Sequence, residues 1–244
     1  MMKIKALTCN ALARPAYWCA AQSPHIVDIE LVQFGLHNQP DALRSLLQGK
    51  IDSAAGYDAV VLVYGLCGQS TAGLKAGSIP LVITRCHDCI TLFLGSRERY
   101  NDQFINHPGT YWYSQDYIER AESGNTALAI GSGVDGGSGI QSTYEEYVAK
   151  YGADNADYLM EVMGAWQQHY KRAAYPDMGI GNNSPVAAEA QAEAARRGWT
   201  FERMSGDLAL IRRLLGGEWD AADFLVLQPG QQIRMTYAED IIST

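Results

Sequence analysis

An α/β fold built from Rossmann-like, parallel, doubly wound sheets is the architecture this sequence predicts, on three observations. Short apolar runs rich in β-branched residues alternate with segments whose leucines recur at helical spacing, the β-α-β-α order that builds parallel sheets. Ala59 to Tyr64 (AVVLVY) is apolar at every position, as a strand covered on both faces must be. A chain of 244 residues, 47% hydrophobic and 19% charged, can bury such a core without disulfide or metal staples.

The elements follow in order. Ile4 to Thr8 reads as a first strand that ends at Cys9, and Ile26 to Val32 as a second, bounded by Pro24 and Gly35. Asp41 to Gly49 has helical spacing, with Leu43, Leu46 and Leu47 on one face and a glycine near its end. Ala59 to Tyr64 and Leu81 to Thr84 are buried strands, the second entered from Pro80; Cys89 to Leu94 opens a helix and Thr110 to Tyr113 is a fifth strand. Gly131 to Gly139 (GSGVDGGSG) is a glycine-rich loop. It lacks the parts of a phosphate-binding loop, because no apolar strand leads into it and no Gly-Lys-Ser/Thr follows. Thr143 to Arg172 is polar, aromatic and strand-free, and predicts one or two helices. Ser184 to Arg197 is an Ala-rich helix with Ser184 as N-cap and Pro185 at the first helical position. Trp199 to Met204 is a strand, Gly206 to Gly216 a helix and Phe224 to Leu227 a buried strand.

Asp41–Gly68 and Asp207–Gly230 share a plan: an Asp-started Leu-rich helix, a glycine, a polar link, an apolar strand and a closing glycine. Two similar α/β halves, 1–115 and 176–244, joined by a helical segment over 116–175, would produce it.

Composition narrows the function. The net charge of −8, with no basic run longer than Arg196-Arg197 or Arg212-Arg213, lacks the footprint of a nucleic-acid binder or of a protein that docks on anionic membranes. Ala59 to Tyr64, an apolar run that no other exceeds, is far short of the ~20 residues a bilayer span needs. The opening MMKIKALTC has neither the apolar core nor the cleavage site of a signal peptide, which predicts a cytoplasmic protein. Five cysteines, an odd number, exclude a complete disulfide framework. In a reducing compartment, clustered cysteines serve metal binding or redox chemistry.

Three predicted strands end at a cysteine: Cys9 after the first, Cys67 after Ala59–Tyr64, and Cys86/Cys89 after Leu81–Thr84. Crevices in open α/β sheets lie beyond the carboxyl ends of the strands, so these cysteines predict one shared thiolate site. In Tyr64-Gly65-Leu66-Cys67-Gly68 the glycines allow a tight turn and close backbone approach, which makes Tyr64, Gly65 and Gly68 candidate cofactor-binding residues. In Arg85-Cys86-His87-Asp88-Cys89 a strand gives way to a helix, whose N-terminus should lower the pKa of Cys89. Cys9, Cys67 and Cys89, with His87 as substitute or added ligand, could hold a zinc ion with one open position, or a [4Fe–4S] cluster with one open iron. His87, Asp88 and Arg85 are the candidate catalytic residues, as base, orienting carboxylate and anion holder. Adjacent His87 and Asp88 are poorly placed to act as one pair. Cys86-x-x-Cys89 also has the layout of a thioredoxin-like redox pair, a reading that leaves Cys9 and Cys67 unused. Cys19 reads as packing and His25, His37, His107 and His169 as solvated; Arg97 and Arg99, like Arg85, could hold an anionic substrate, although surface ion pairing is the commoner fate of such residues, and Tyr111-Trp112-Tyr113 could wall a pocket but should be at least partly core.

YGLCG, then PLVITRCHDCITLFLGSRERY and HPGTYWYS, resembles a bacterial and archaeal group, domain-of-unknown-function family 1638. The resemblance extends to EYVAKYGADNADYLMEVM and GDLALIRRLLGGEWDAADFLVLQPG. The family's pattern carries over at Cys9, Cys67, His87, Asp88 and Cys89, with Cys86 and Cys19 as departures that weaken the Cys-x-x-Cys reading. Members are often encoded near corrinoid-dependent methyltransferases, which implies a role around methyl transfer or corrinoid handling.

The sequence thus predicts a metal-binding α/β protein, most simply an enzyme, acting on a small-molecule substrate in one-carbon or corrinoid-linked metabolism. A corrinoid protein or methyltransferase is the implied partner. The alternatives are a thiol–disulfide oxidoreductase using Cys86 and Cys89, and a non-catalytic corrinoid or small-ligand accessory protein.

Overall fold

The computed structural model describes residues 1–32, 40–67, 69–120, 170–182, 184–236 and 240–244. It is a mixed α/β protein in two compact units. The first comprises Met1–Phe104, Met178–Gly181 and Ser205–Thr244; the second, Ile105–Asp177 and Asn182–Met204.

The first unit is built on a five-stranded sheet. Its strands are β1 (Lys3–Cys9), β2 (Ile26–Val32), β3 (Ala59–Val63), β4 (Leu81–Thr84) and β8 (Phe224–Leu227), in the order β2-β1-β3-β4-β8. β1 pairs in parallel with both β2 and β3, and β3 with β4. Every residue of β3 and β4 is buried, which explains their uniform apolarity: helices cover both faces. α2 (Pro40–Asp52) packs Leu43, Leu47 and Ile51 against Leu7, Val60 and Leu62. Helix α7 (Ala209–Leu215) packs on β3, β4 and α1 (Ala13–Ala21), burying Leu210, Ile211, Leu214 and Leu215. At the β2 edge, Glu30 takes salt bridges from Lys5 (3.0 Å) and Lys50, charges that blunt an open strand edge.

The second unit carries a sheet of β5 (Thr110–Trp112), β6 (Arg172–Asp177) and β7 (Thr200–Ser205), with β5 and β6 parallel. Helix α6 (Ser184–Arg196) buries Val186, Ala187, Ala190 and Ala194 against it, together with Tyr111, Tyr113, Tyr175 and Trp199. Tyr111 and Tyr113 are therefore core. The remaining elements are α3 (Cys89–Leu94), α4 (Arg97–Asn106), α5 (Gln115–Arg120) and the antiparallel pair β9 (Arg234–Met235) and β10 (Ile242–Ser243).

Four expectations need correction. β8 runs antiparallel to β4, so the sheet is parallel except at this edge. The divisions 1–115, 116–175 and 176–244 are not those of the packing: Ser205–Thr244 returns to the first unit, and the two strands of the proposed repeat, β3 and β8, share one sheet. Arg172 begins a strand rather than ending a helix; the glycine-rich loop 131–139 and the helical segment up to residue 169 lie outside the described residues. Leu46 is 39% exposed, because the buried stripe of α2 advances by four residues at a time, through Leu43, Leu47 and Ile51. Among the described residues no helix is long and apolar enough to cross a membrane.

Leu62 lies in β3 with no exposed surface. Leu62→Ala should lower unfolding stability by about 2–5 kcal/mol, read as a fall in the urea midpoint at unchanged slope. An unchanged midpoint would contradict the burial.

Candidate functional site

The carboxyl ends of β1, β3 and β4 place the predicted site residues. β3 runs into Tyr64-Gly65-Leu66-Cys67 and β4 into Arg85-Cys86-His87-Asp88, and the two loops stay zipped beyond their strands. Leu66 N donates to the Cys86 carbonyl at 3.1 Å, and Cys67 N to the His87 carbonyl at 2.9 Å. This approach requires Gly65, since a Cβ there would stand 2.6 Å from the Cα of Asp88. The first loop then turns sharply. Cys67 has φ 46° and Gln69 φ 74°, left-handed conformations that non-glycine residues adopt at a cost and that cluster at functional sites. Ser70 Oγ donates to the Cys67 carbonyl at 2.8 Å, and buried Thr71 Oγ1 to the Gly65 carbonyl at 3.2 Å, which holds the turn.

Three thiols gather here. Cys89 donates a hydrogen bond to Cys67, Tyr64 is hydrogen-bonded to Cys9, and Tyr64 feels the charges of Cys9, Cys67 and Cys89 together. The Cys89 hydrogen bond, joined by the Gly65 and Cys89 backbone groups, holds the Cys67 thiol below the usual thiol range. Donating that bond pushes the Cys89 thiol well up, and burial and the charge of Cys67 add to it. Burial first, then the cysteine charges, also raises the Tyr64 phenol. The lowered thiol is therefore Cys67 rather than Cys89, although Cys89 does open α3. Donation to a neighbouring thiolate outweighs its position on a six-residue helix.

The sequence candidates separate as follows. Cys9, Tyr64, Gly65, Cys67 and Cys89 converge; Gly68 lies outside the described residues. Asp88 is the N-cap of α3, accepting from Ile90 N at 2.9 Å, and Tyr100 Oη donates to it at 3.0 Å. Burial raises its pKa while these bonds oppose the rise, so it serves to hold the loop that carries Cys89. His87 is exposed, its ring 6.3 Å from that of Tyr100. Arg85 donates to the carbonyls of Ala221 (3.0 Å), Asp240 (3.3 Å) and Ile242, so it ties down the C-terminal segment instead of offering its guanidinium to a substrate. Arg97 and Arg99 likewise donate to backbone carbonyls, those of Ala222, Leu94 and Ser205. Cys86 is fully buried, with its thiol 3.9 Å from the Tyr64 carbonyl, and burial raises its pKa well above the usual range. Cys89 thus has Cys67, not Cys86, as its thiol partner. Cys19 is buried in α1 and its pKa is pushed up to about 11 by burial, as a packing residue's should be.

Sequence reasoning missed Tyr100, Ser70 and Thr71. Ser and Thr directly after a Gly-Gln turn are a readable signal for hydroxyl-to-backbone bonds. For Tyr100 the sequence carries no signal, because its contact with Asp88 depends on how α4 returns over the loop. Among the described residues no group of three or more His, Cys, Asp or Glu could hold a metal ion as it stands.

Two outcomes follow. Alkylation of Cys67, followed by peptide mass mapping across a pH series, should persist below the ~8.5 midpoint of an ordinary cysteine, and Cys89→Ala should move the profile to higher pH by removing the donor. A Cys67 profile at or above the ordinary midpoint, unmoved by Cys89→Ala, would contradict the pairing. Gly65→Ala should cost about 1–3 kcal/mol in urea unfolding, because its Cβ meets backbone that cannot swing aside.

Comparison with curated proteins and with solved structures found no match. A family profile described as "Protein of unknown function (DUF1638)" matches residues 31–215, most of the chain and all of the zipped loops. The chain belongs to the DUF1638 family.

Proposed function

We propose that Cys9, Cys67 and Cys89 are the thiolate ligands of a metal centre, zinc or an iron–sulfur cluster, at the carboxyl edge of the five-stranded sheet. The observation that supports it is the meeting of three thiols from three separate chain segments, one of them already favoured as thiolate. Thiolate ligation requires that protons leave, and metal binding is therefore linked to deprotonation. Two sulfurs on one tetrahedral zinc lie about 3.8 Å apart, given ~2.3 Å zinc–sulfur bonds, which is within reach of a thiol hydrogen bond. A metal bound there would take the place of the Cys89 thiol proton.

A metal with three protein thiolates and one open position supplies a Lewis acid or an activated nucleophile for a small-molecule substrate. The chain's own groups supply the setting. Tyr64 keeps a hydroxyl at Cys9, and Asp88, capped on α3 and held by Tyr100, fixes the backbone from which Cys89 projects. Gly65 and the left-handed Cys67 bring the other thiol alongside. One-carbon or methyl-group transfer, with a corrinoid protein or methyltransferase as partner, is the reaction context the family resemblance implies.

The test is elemental analysis and visible spectroscopy of the full chain purified without oxygen. Zinc, or iron with a broad brown absorption, should accompany the protein and fall several-fold in Cys9→Ser, Cys67→Ser and Cys89→Ser, while Cys19→Ser and Cys86→Ser retain it. Metal content unchanged in Cys9→Ser or Cys67→Ser would overturn the assignment. A pink, cobalt-containing preparation would instead favour a corrinoid-binding accessory protein.

A further inference from the structure

The sheet of the first unit changes its direction of growth at β1. β2 pairs on one side of β1, while β3 and then β4 extend the sheet on the other. The chain leaves β1 through a single 3-10 turn, Asn10–Leu12, into α1, which packs against α7. It leaves β3 by a loop whose Leu66, Leu74 and Ala76 join the apolar cluster of α2. The buried residues of α7 lie outside that cluster, so the two exits run to opposite faces of the sheet. A crevice opens between adjacent carboxyl ends at such a point, and ligands of open α/β sheets bind there.

The last rung of the β1–β3 ladder pairs Thr8 with Val63, and the β3–β4 register, continued by one residue, sets Val63 beside Thr84. Leu7, Leu62 and Ile83, one residue back, face α2, so Thr8, Val63 and Thr84 stand on the opposite face, which α7 covers. Thr8 and Thr84 have no exposed surface, and neither hydroxyl has a hydrogen-bond partner among the described residues. Oδ1 of Asn10, directly beyond β1, and the hydroxyl of Thr91 on α3 are likewise buried without a partner among them. Valine has the shape of threonine and would suit strands that are otherwise apolar, as β3 is throughout. A buried hydroxyl left unpaired costs stability that valine would not. Two of them on one rung, at the point where the exits diverge, have the character of binding groups.

We propose that Thr8 and Thr84 hold, across Val63, a small uncharged molecule with a hydrogen-bonding group at each end, a diol or a hydroxy amide. Strands ~4.8 Å apart put the two threonines ~10 Å apart, and side chains stand roughly perpendicular to a sheet. Two hydrogen bonds of ~2.8 Å leave ~4 Å between them, the span of a molecule of about three or four heavy atoms. A hydroxyl donates or accepts, so either kind of end is met. The rung brings no charge to pair with a charged ligand, and a buried charge left unpaired is costly. The pocket stands on its hydroxyls alone; that its occupant is the substrate of the thiol centre rests on the function proposed above.

The test is saturation-transfer NMR of ethylene glycol with the full chain. The comparison probes are 1-propanol, which lacks the second hydroxyl, and glycolate, which carries a charge. Transfer to ethylene glycol should exceed that to either by several-fold. It should fall several-fold in Thr8→Val and in Thr84→Val and stay unchanged in Thr200→Val, an exposed position on β7. Without the diol, both buried variants should keep or raise the urea midpoint. The proposal is overturned if the wild-type chain shows no transfer, as it would were the hydroxyls bonded to water alone. It is overturned equally if 1-propanol or glycolate matches the diol, or if either buried variant retains the signal. A fall in the midpoint of either variant would show its hydroxyl already bonded within the protein and would also overturn it. Cysteine variants that keep their metal fail the metal assignment and leave the pocket standing; threonine variants that keep the diol fail the pocket alone.

Discussion

The backbone contact between Gly65 and Asp88 is the constraint on which the site depends. Parallel strands normally diverge into separate loops at their carboxyl ends. Here the loops after β3 and β4 continue as a two-bond ladder, because residue 65 has no side chain to hold them apart. The ladder puts Cys67 beside the first turn of α3, and Asp88, by capping that helix, sets where Cys89 emerges. Cys9 needs no such device, since β1 is the next strand of the same sheet and ends at it.

Gathering thiols in a buried place is electrostatically expensive for more than one thiolate, because each charge is removed from water and faces its neighbours. The arrangement here answers by division: hydrogen bonding pulls the Cys67 thiol down and pushes the Cys89 thiol up, and Tyr64 is hydrogen-bonded to Cys9. Such a set can be relieved by a cation that neutralises several thiolates.

Much of this was legible in the sequence, for physical reasons that also mark where legibility ends. Leu81–Thr84, Cys89–Leu94 and Phe224–Leu227 were readable to the residue, because buried strands and a short apolar helix leave continuous hydrophobic runs, and the edge strand Ile26–Val32 was readable from its β-branched residues and the bounding Pro24. Cys9 closes β1, whereas Cys67 lies in the loop after β3 and Cys89 opens α3 after β4, so what the sequence made legible was the order of strands and cysteines. Strand direction was not legible: FLVL reads the same whether β8 runs with β4 or against it. Nor was the choice of partner for Cys89. Cys86 is nearer in sequence, yet its thiol is turned to the Tyr64 carbonyl, and the Cys89 thiol is hydrogen-bonded to Cys67 instead. Arg85 looked like an anion holder because a lone arginine beside cysteines does, and only the returning C-terminal segment shows its donors committed to carbonyls.

The central claim is that three thiols from three strand ends serve one centre. X-ray absorption at the metal edge of the full chain, purified without oxygen, tests it most directly. The account predicts a shell of three protein sulfurs at about 2.3 Å if the metal is zinc, reduced by one in Cys9→Ser. A shell of nitrogen and oxygen alone, or a sulfur count untouched by Cys9→Ser, would contradict it.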